Sequence, residues 1–298
     1  NLLTFFASLY LFYFYPEVQE IGLRIITIVV SYSSVKTVIL YYSGPLNIEI
    51  AEAISKENKE MVGDIFNNTT RVAALIGMGF TTGICAIADD LLLILHNETF
   101  ISASGFDQNL FLSAQLLMIL AILGQTGFAF SSLFGNALIG SGNSKYSGIG
   151  FAITAVIIIV IAPLFIFLTS FVGIGWVQII ANAFFLPFMI WQIKKRLQIK
   201  IKFKLMRIIP CCAIMFLFMF FFPISDISTF ILSIVLGSLI FLFLSPFFGV
   251  SIPEDVKMLE DLFDIVKLKF LGKIFGKILL FLYNISPLNR KEIKQSRF

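Results

Sequence analysis

A charged side chain inside an apolar helix is costly in a bilayer, and it usually faces a cavity or a partner. Arg24 and Lys36 both fall within the apolar stretch 21–44. Twelve residues separate them, about 18 Å along a helix. Two cations on one span suit an anionic substrate such as a pyrophosphate. Their plainer reading is a pair of long side chains whose heads snorkel to the surface, Arg24 lying four residues after Glu20. Asp89 and Asp90 come near the outer end of the next apolar stretch. Such carboxylates could bind a coupling proton or sodium ion. They could also mark the place where a span ends, or pair with Arg24. Gln125, Ser132 and Asn136 fall within about 40° of one another on a helical wheel, and Gln178 and Asn182 are one turn apart. Buried amides of this kind either hydrogen-bond between helices or line a polar path for a sugar head group.

Residues for covalent or metal chemistry are scarce. The chain has one histidine, His96, and three cysteines, Cys85, Cys211 and Cys212, all in apolar stretches without a CxxC pattern. That composition supports neither a disulfide framework nor a zinc site, and a histidine-dependent triad is not expected. The segment 140–145, Gly-Ser-Gly-Asn-Ser-Lys, lacks the GxxxxGK[ST] spacing of a phosphate loop and follows no strand pattern. Asn67, Asn68 and Asn97 fit N-x-[ST] patterns, to which we attach no function. No cofactor is expected.

The elements that must position these residues are apolar helices. Hydrophobic residues make up 58% of the chain and charged residues 13%, with a mean hydropathy of +0.94, which excludes an ordinary soluble domain. Eight spans are predicted at 1–15, 21–44, 72–90, 110–139, 147–169, 174–193, 207–223 and 228–249. The first is short for a span, which needs about 20 residues; together with the initial Asn1 it reads as a truncated helix of a longer protein. Between Lys145 and Lys194 no residue is charged. A run of that length satisfies its backbone in hydrocarbon only as helices, here two with a turn at 173–175. Gly79 and Gly83 form a GxxxG pair, Gly135, Gly140 and Gly142 cluster near the end of the fourth span, and Pro163, Pro187 and Pro210 lie within spans or at their edges. Close packing and tolerated kinks account for all of them.

The cations set the expected orientation. The turns at 16–20, 96–107, 170–175 and 223–228 hold no Lys or Arg. Apart from Arg24 and Lys36, all of the 22 Lys and Arg residues lie in the alternate connections and the tail. Basic connections stay in the cytoplasm, so a multi-pass protein of the plasma membrane with a cytoplasmic C-terminus is expected. The formal charge of +4 then reflects anionic lipid as the partner, with no nucleic acid required. After Pro253, apolar residues recur at helical spacing through 254–284, with Lys269, Lys273 and Lys277 four apart. This predicts an amphipathic helix on the inner leaflet.

The succession of features resembles a known family. A span ends in Gly-Pro-Leu-Asn-Ile-Glu-Ile at 44–50, and a charged helix is predicted through 51–60. A glycine-rich span follows, then Leu-Leu-Leu-Ile-Leu-His-Asn-Glu-Thr-Phe at 91–100, then a long span closing with Leu-Ile-Gly-Ser-Gly-Asn-Ser-Lys at 138–145, and paired spans joined by Gly-Ile-Gly at 173–175. This is similar to the C-terminal part of a polysaccharide-biosynthesis flippase of the multidrug/oligosaccharidyl-lipid/polysaccharide exporter superfamily. The resemblance covers most of 16–195 and more loosely 207–250, and its motifs are diffuse. It implies an all-α polytopic bundle: a MATE-like C-terminal lobe at 1–195, two additional spans at 196–250 and a cytoplasmic tail at 251–298. It further implies a non-enzymatic flippase that moves a lipid-linked oligosaccharide or polysaccharide precursor by alternating access, with glycan-assembly enzymes as partners. Lys36 and Arg24 would then meet a polyprenyl pyrophosphate, and Gln125, Asn136, Gln178 and Asn182 the sugars. In a cation-coupled drug exporter of the same superfamily, Asp89 and Asp90 would matter most. A membrane-embedded glycosyltransferase or polymerase would need catalytic groups on a water-facing loop, and the outer turns hold no DxD.

Overall fold

In the computed structural model, residues 39–92, 108–169, 172–201, 205–251 and 269–286 are described, together with 253 and 255. Arg24, Lys36, the expected span at 1–15 and most of that at 21–44 lie outside the described residues. The regular secondary structure of the described residues is all helical, without a strand. The chain divides into two compact units, 1–203 and 204–298.

The first unit contains α1 (Ser43–Ser55), α2 (Lys59–Ala86), α3 (Gln108–Gly140), α4 (Ser144–Thr169) and α5 (Gly173–Leu197). Among the described residues, four helices are long and apolar enough to cross a membrane: α3 from Gln115, α4, α5, and a helix of the second unit, α7 (Ile227–Phe247). Within the first unit α3 is central, packing on α1, α2, α4 and α5. Its spanning window is 72% buried, against 17% for α4. The distribution of polarity is the reverse of a water-soluble bundle. On α3, Gln125, Thr126, Ser131 and Ser132 are buried, while Leu116, Leu123 and Ile139 are exposed. On α4, Val156, Val160, Leu164 and Phe167 form one exposed face. Hydrocarbon is the solvent in which such a surface is stable.

Local chemistry fixes the helix ends. Pro45 falls in the first turn of α1, where its missing N–H would have had no helical acceptor. The charged helix expected through 51–60 is interrupted: α1 stops at Ser55 and α2 starts after Asn58, whose side chain accepts from the Met61 N–H at 3.0 Å. The turn between them is a Schellman motif, with Asn58 N–H donating to Ala53 C=O and Glu57 N–H to Ile54 C=O. Glu57 takes the left-handed position at φ 55°. The same pair of bonds closes α3, with Gly142 at φ 75°, and α7, with Gly249 at φ 68°. A Cβ on Gly142 would meet nothing within 4 Å, so the cost of a side chain there is conformational only. Gly142→Ala is expected to destabilise the folded protein by about 1 kcal/mol, and Glu57→Gly to stabilise it. Thermal unfolding in detergent measures both, and equal midpoints for the two variants would refute the assignment.

The second unit contains α6 (Leu205–Phe221), α7 and α8 (Lys269–Ile285). Arg207 Nη1 donates to Gly249 C=O at 3.5 Å, which brings the start of α6 to the end of α7. Asp226 caps α7 by accepting from the Thr229 N–H at 2.7 Å, and Thr229 Oγ1 accepts in return from the Asp226 N–H at 3.0 Å. That backbone hydrogen bond holds the exposed Asp226 carboxyl below the usual carboxylate range. Gly237, midway along α7, packs directly on the Met219 side chain near the end of α6.

Candidate functional site: a polar seam inside the apolar bundle

The third and fifth helices run parallel, because α4 returns the chain across the bundle between them. Residue n on α3 faces residue n + 54 or n + 55 on α5: Leu120 meets Gly175, Gly124 meets Gln178, Gly127 meets Asn182 and Gly135 meets Met189. Glycine is required where the backbones come closest. A Cβ on Gly124 would lie 2.6 Å from Gln178 Cβ and 3.3 Å from that residue's backbone carbon.

Into this seam α5 directs two amides. Asn182 Nδ2 donates to Gly124 C=O at 2.8 Å across the interface and to Gln178 C=O at 2.7 Å on its own helix. The amide oxygens, Gln178 Oε1 and Asn182 Oδ1, are enclosed and accept no hydrogen bond. An enclosed acceptor left unfilled costs about 1–3 kcal/mol. The seam therefore has acceptor capacity for a donor that is not part of the described chain. Gln125, next to Gly124 on α3, is also buried.

On its other flank α3 meets the antiparallel α2. Thr81 Oγ1 and Thr126 Oγ1 lie 2.6 Å apart, both buried. One hydroxyl donates to the other, and the second donates back to its own helix, at Gly77 C=O or Ile122 C=O. Phe66 packs on Phe134 further along, with ring centroids 5.4 Å apart. Beyond that contact Gly140 abuts the Asn47 backbone carbonyl of α1.

The sequence-predicted residues do not form one cluster. Gln178 and Asn182 meet beside Gly124 and Gly127. Asn136 is half-buried on α3, eleven residues from Gln125 and so about 16 Å along the axis. Asp89 and Asp90 lie beyond the end of α2, which caps at Ile87, and are half-buried. Their neighbours Ala88 and Leu92 join a cluster with Leu117, Ile166, Val172 and Ile174. That cluster lies at the opposite end of the unit from the cations. Among the described residues, no three His, Cys, Asp or Glu side chains come together as a metal site.

The basic connections of the first unit converge at one end. The Arg196 guanidinium lies over the Tyr146 ring at 4.0 Å, and Lys195 Nζ is 4.9 Å from the centre of the Trp191 ring. Lys59 Nζ donates to Gln198 Oε1 at 3.4 Å. These contacts bring the α1–α2 turn, the α3–α4 turn and the end of α5 around a cleft of about 450 Å³ lined by Glu57, Lys59, Ser141, Asn143 and Arg196. Tyr and Trp beside Lys and Arg form the usual composition of a membrane–water boundary.

Sequence reasoning did not single out Gly124, Gly127, the Thr81–Thr126 bridge or Gln192, which is buried with its Oε1 unfilled. The spacing of Gly124 and Gly127 was the available signal for the seam. No family model matches the chain, and neither does any curated protein or any solved structure.

Proposed function

We propose that this chain is the C-terminal part of a plasma-membrane flippase that carries a lipid-linked glycan precursor from the inner to the outer leaflet. The observation that carries this reading is the seam: half-buried amides whose enclosed oxygens accept no hydrogen bond, inside a bundle whose outer surface is apolar. A sugar head group crossing a bilayer needs hydrogen-bond acceptors out of contact with lipid, and Gln178 and Asn182 would offer theirs once α3 and α5 part during the transport cycle. In the eight-span, MATE-like arrangement that the sequence resemblance implies, Arg24 and Lys36 on the second span hold the pyrophosphate. Alternating access of two lobes moves the head group past them, and the cation-rich end faces the cytoplasm.

The test uses the full-length protein in cells. Its depletion should trap lipid-linked glycan in the inner leaflet, and a normal outer-leaflet pool after depletion would defeat the flippase reading. In the same assay Lys36→Gln is expected to abolish delivery at normal expression. Lys36→Arg should retain part of it, because the charge persists while the donor geometry changes. Full activity of Lys36→Gln would remove Lys36 from the path and leave Arg24 as the cation of this half.

A further inference from the structure

The helix that ends the described chain has two apolar faces, not one. In α8, Gly272, Gly276 and Leu279 are buried, and on the same side Phe275 stacks on Phe243 of α7 with ring centroids 6.0 Å apart. At 100° per residue, that packed face occupies about a quarter of the circumference. A second ridge, made of Ile274, Ile278, Phe281 and Ile285, is turned well away from it and is exposed, Phe281 by 63%. Lys273, Lys277 and Asn284 are exposed on the strip between the two faces.

Packing on α7 accounts for the first face and leaves the second unexplained. Four large apolar side chains in a continuous stripe need a cover. The charge of the helix indicates which. Residues 269–285 contain three lysines and no acidic residue, and the following segment adds Arg290, Lys291, Lys294 and Arg297 against one acid, Glu292. The partner it fits is therefore anionic. It is also close to the membrane, because α7 is itself a helix long and apolar enough to cross it, and the Phe243–Phe275 stack holds α8 against the last turns of α7.

We infer that the Ile274–Ile278–Phe281–Ile285 ridge of α8 is a docking surface for the anionic face of a lipid bilayer. The ridge enters the acyl boundary, and Lys273 and Lys277 reach the phosphates from its flank. This is the arrangement in which lysine stems cover apolar surface while their ammonium groups stay at head-group level. The opposite face remains on α7, so the helix is clamped between protein and lipid. The inference is independent of what the protein transports.

The test uses the whole protein in liposomes, with Ile278→Cys carrying an environment-sensitive fluorophore and the unsubstituted protein setting the labelling background. In phosphatidylglycerol-containing vesicles the emission should shift to the blue and be quenched by nitroxide-bearing lipid. Replacing both Lys273 and Lys277 with Gln should release the ridge. Removing two surface cations lowers the seated-to-released ratio on the order of 30-fold, and raised salt should weaken seating of the unsubstituted lysines in the same direction. Equal quenching in phosphatidylcholine and phosphatidylglycerol vesicles would overturn the role of charge. Absence of lipid quenching would overturn the bilayer as occupant, and if unlabelled Ile278→Cys protomers then form disulfides with one another under an added oxidant, the ridge is covered by a second copy. Gel filtration of the Lys→Gln variant, expected to match the parent, separates loss of seating from loss of fold.

Discussion

Gly124→Ala is expected to destabilise the protein by about 1–2 kcal/mol, although alanine is the better helix former. Propensity alone would favour alanine by about 1 kcal/mol in a helix interior. Against that, the new methyl group would stand 2.6 Å from Gln178 Cβ and 3.3 Å from the Gln178 backbone carbon. Neither obstacle can rotate away, so α3 and α5 must separate. Overpacking of this kind costs about 1–3 kcal/mol, near the upper end where the obstacle is backbone. Separation would also stretch the Asn182 bond to Gly124 C=O. The contrast is Asn182→Ala, which removes one interhelical hydrogen bond and should cost about 0.6 kcal/mol. Denaturant unfolding in mixed micelles compares them. In the double variant Gly124→Ala, Gln178→Gly the clash is relieved, so the two changes should be less destabilising together than their sum. A Gly124→Ala protein as stable as its parent would mean that the seam is looser than described.

Opposite labelling of two kinds of turn is the other large expected effect, and it is close to all-or-none. Cysteines placed at Gly105 and at Ser225 should react with an impermeant maleimide in intact cells. A cysteine at Lys200 should react only after permeabilisation. Ser225 and Lys200 are exposed, so accessibility is limited by the membrane and not by the fold. The physical basis is the cost of moving lysine and arginine across a bilayer, which keeps basic connections on the side of synthesis. Within the first unit the argument is stronger than a count of charges. The Arg196–Tyr146 and Lys59–Gln198 contacts bind three basic turns to one another, so they cannot be assigned to different sides. Labelling of Lys200→Cys in intact cells would reverse the proposed orientation.

The ends of α3 to α7 were legible because their signals are local. Runs without charge, closed by Gly173 and Gly175 or by Pro223 and Asp226, set helix limits to within a few residues. The start of α2 was not legible from hydropathy. A helix was expected from 72 and begins at Lys59, because Lys59, Glu60, Asp64 and Arg71 belong to a polar extension of about three and a half turns that precedes the apolar part and is held by the Asn58 cap. The break at 56–58 gave no warning either, since its left-handed residue is Glu57 and not glycine. Among small residues, attention fell on Gly79 and Gly83 and on the Gly135–Gly140–Gly142 cluster, whereas the glycines that admit the α5 amides are Gly124 and Gly127. Spacing along one helix marks a face that admits a neighbour, but not which neighbour. The pairing of Gly124 with Gln178 depends on register between helices that are not adjacent in sequence, and only the folded bundle supplies it. For Gln125, Gln178 and Asn182 the amides themselves were legible, and their mutual geometry was not.

The register of the seam also sets an order of events during synthesis. Gly124 and its partner Gln178 are separated by a complete helix, α4. At about 5–20 residues per second, roughly 3–11 s pass between their departures from the ribosome. Through that interval α3 carries Gln125, Ser131 and Ser132 without α5 beside it. The Thr81–Thr126 bridge needs only α2, which has already been made, so the α2–α3 hairpin is the first assembly able to shelter part of the polar stripe. A nascent chain halted after α4 would still present Gln125 and Gly124 to whatever accompanies it into the bilayer.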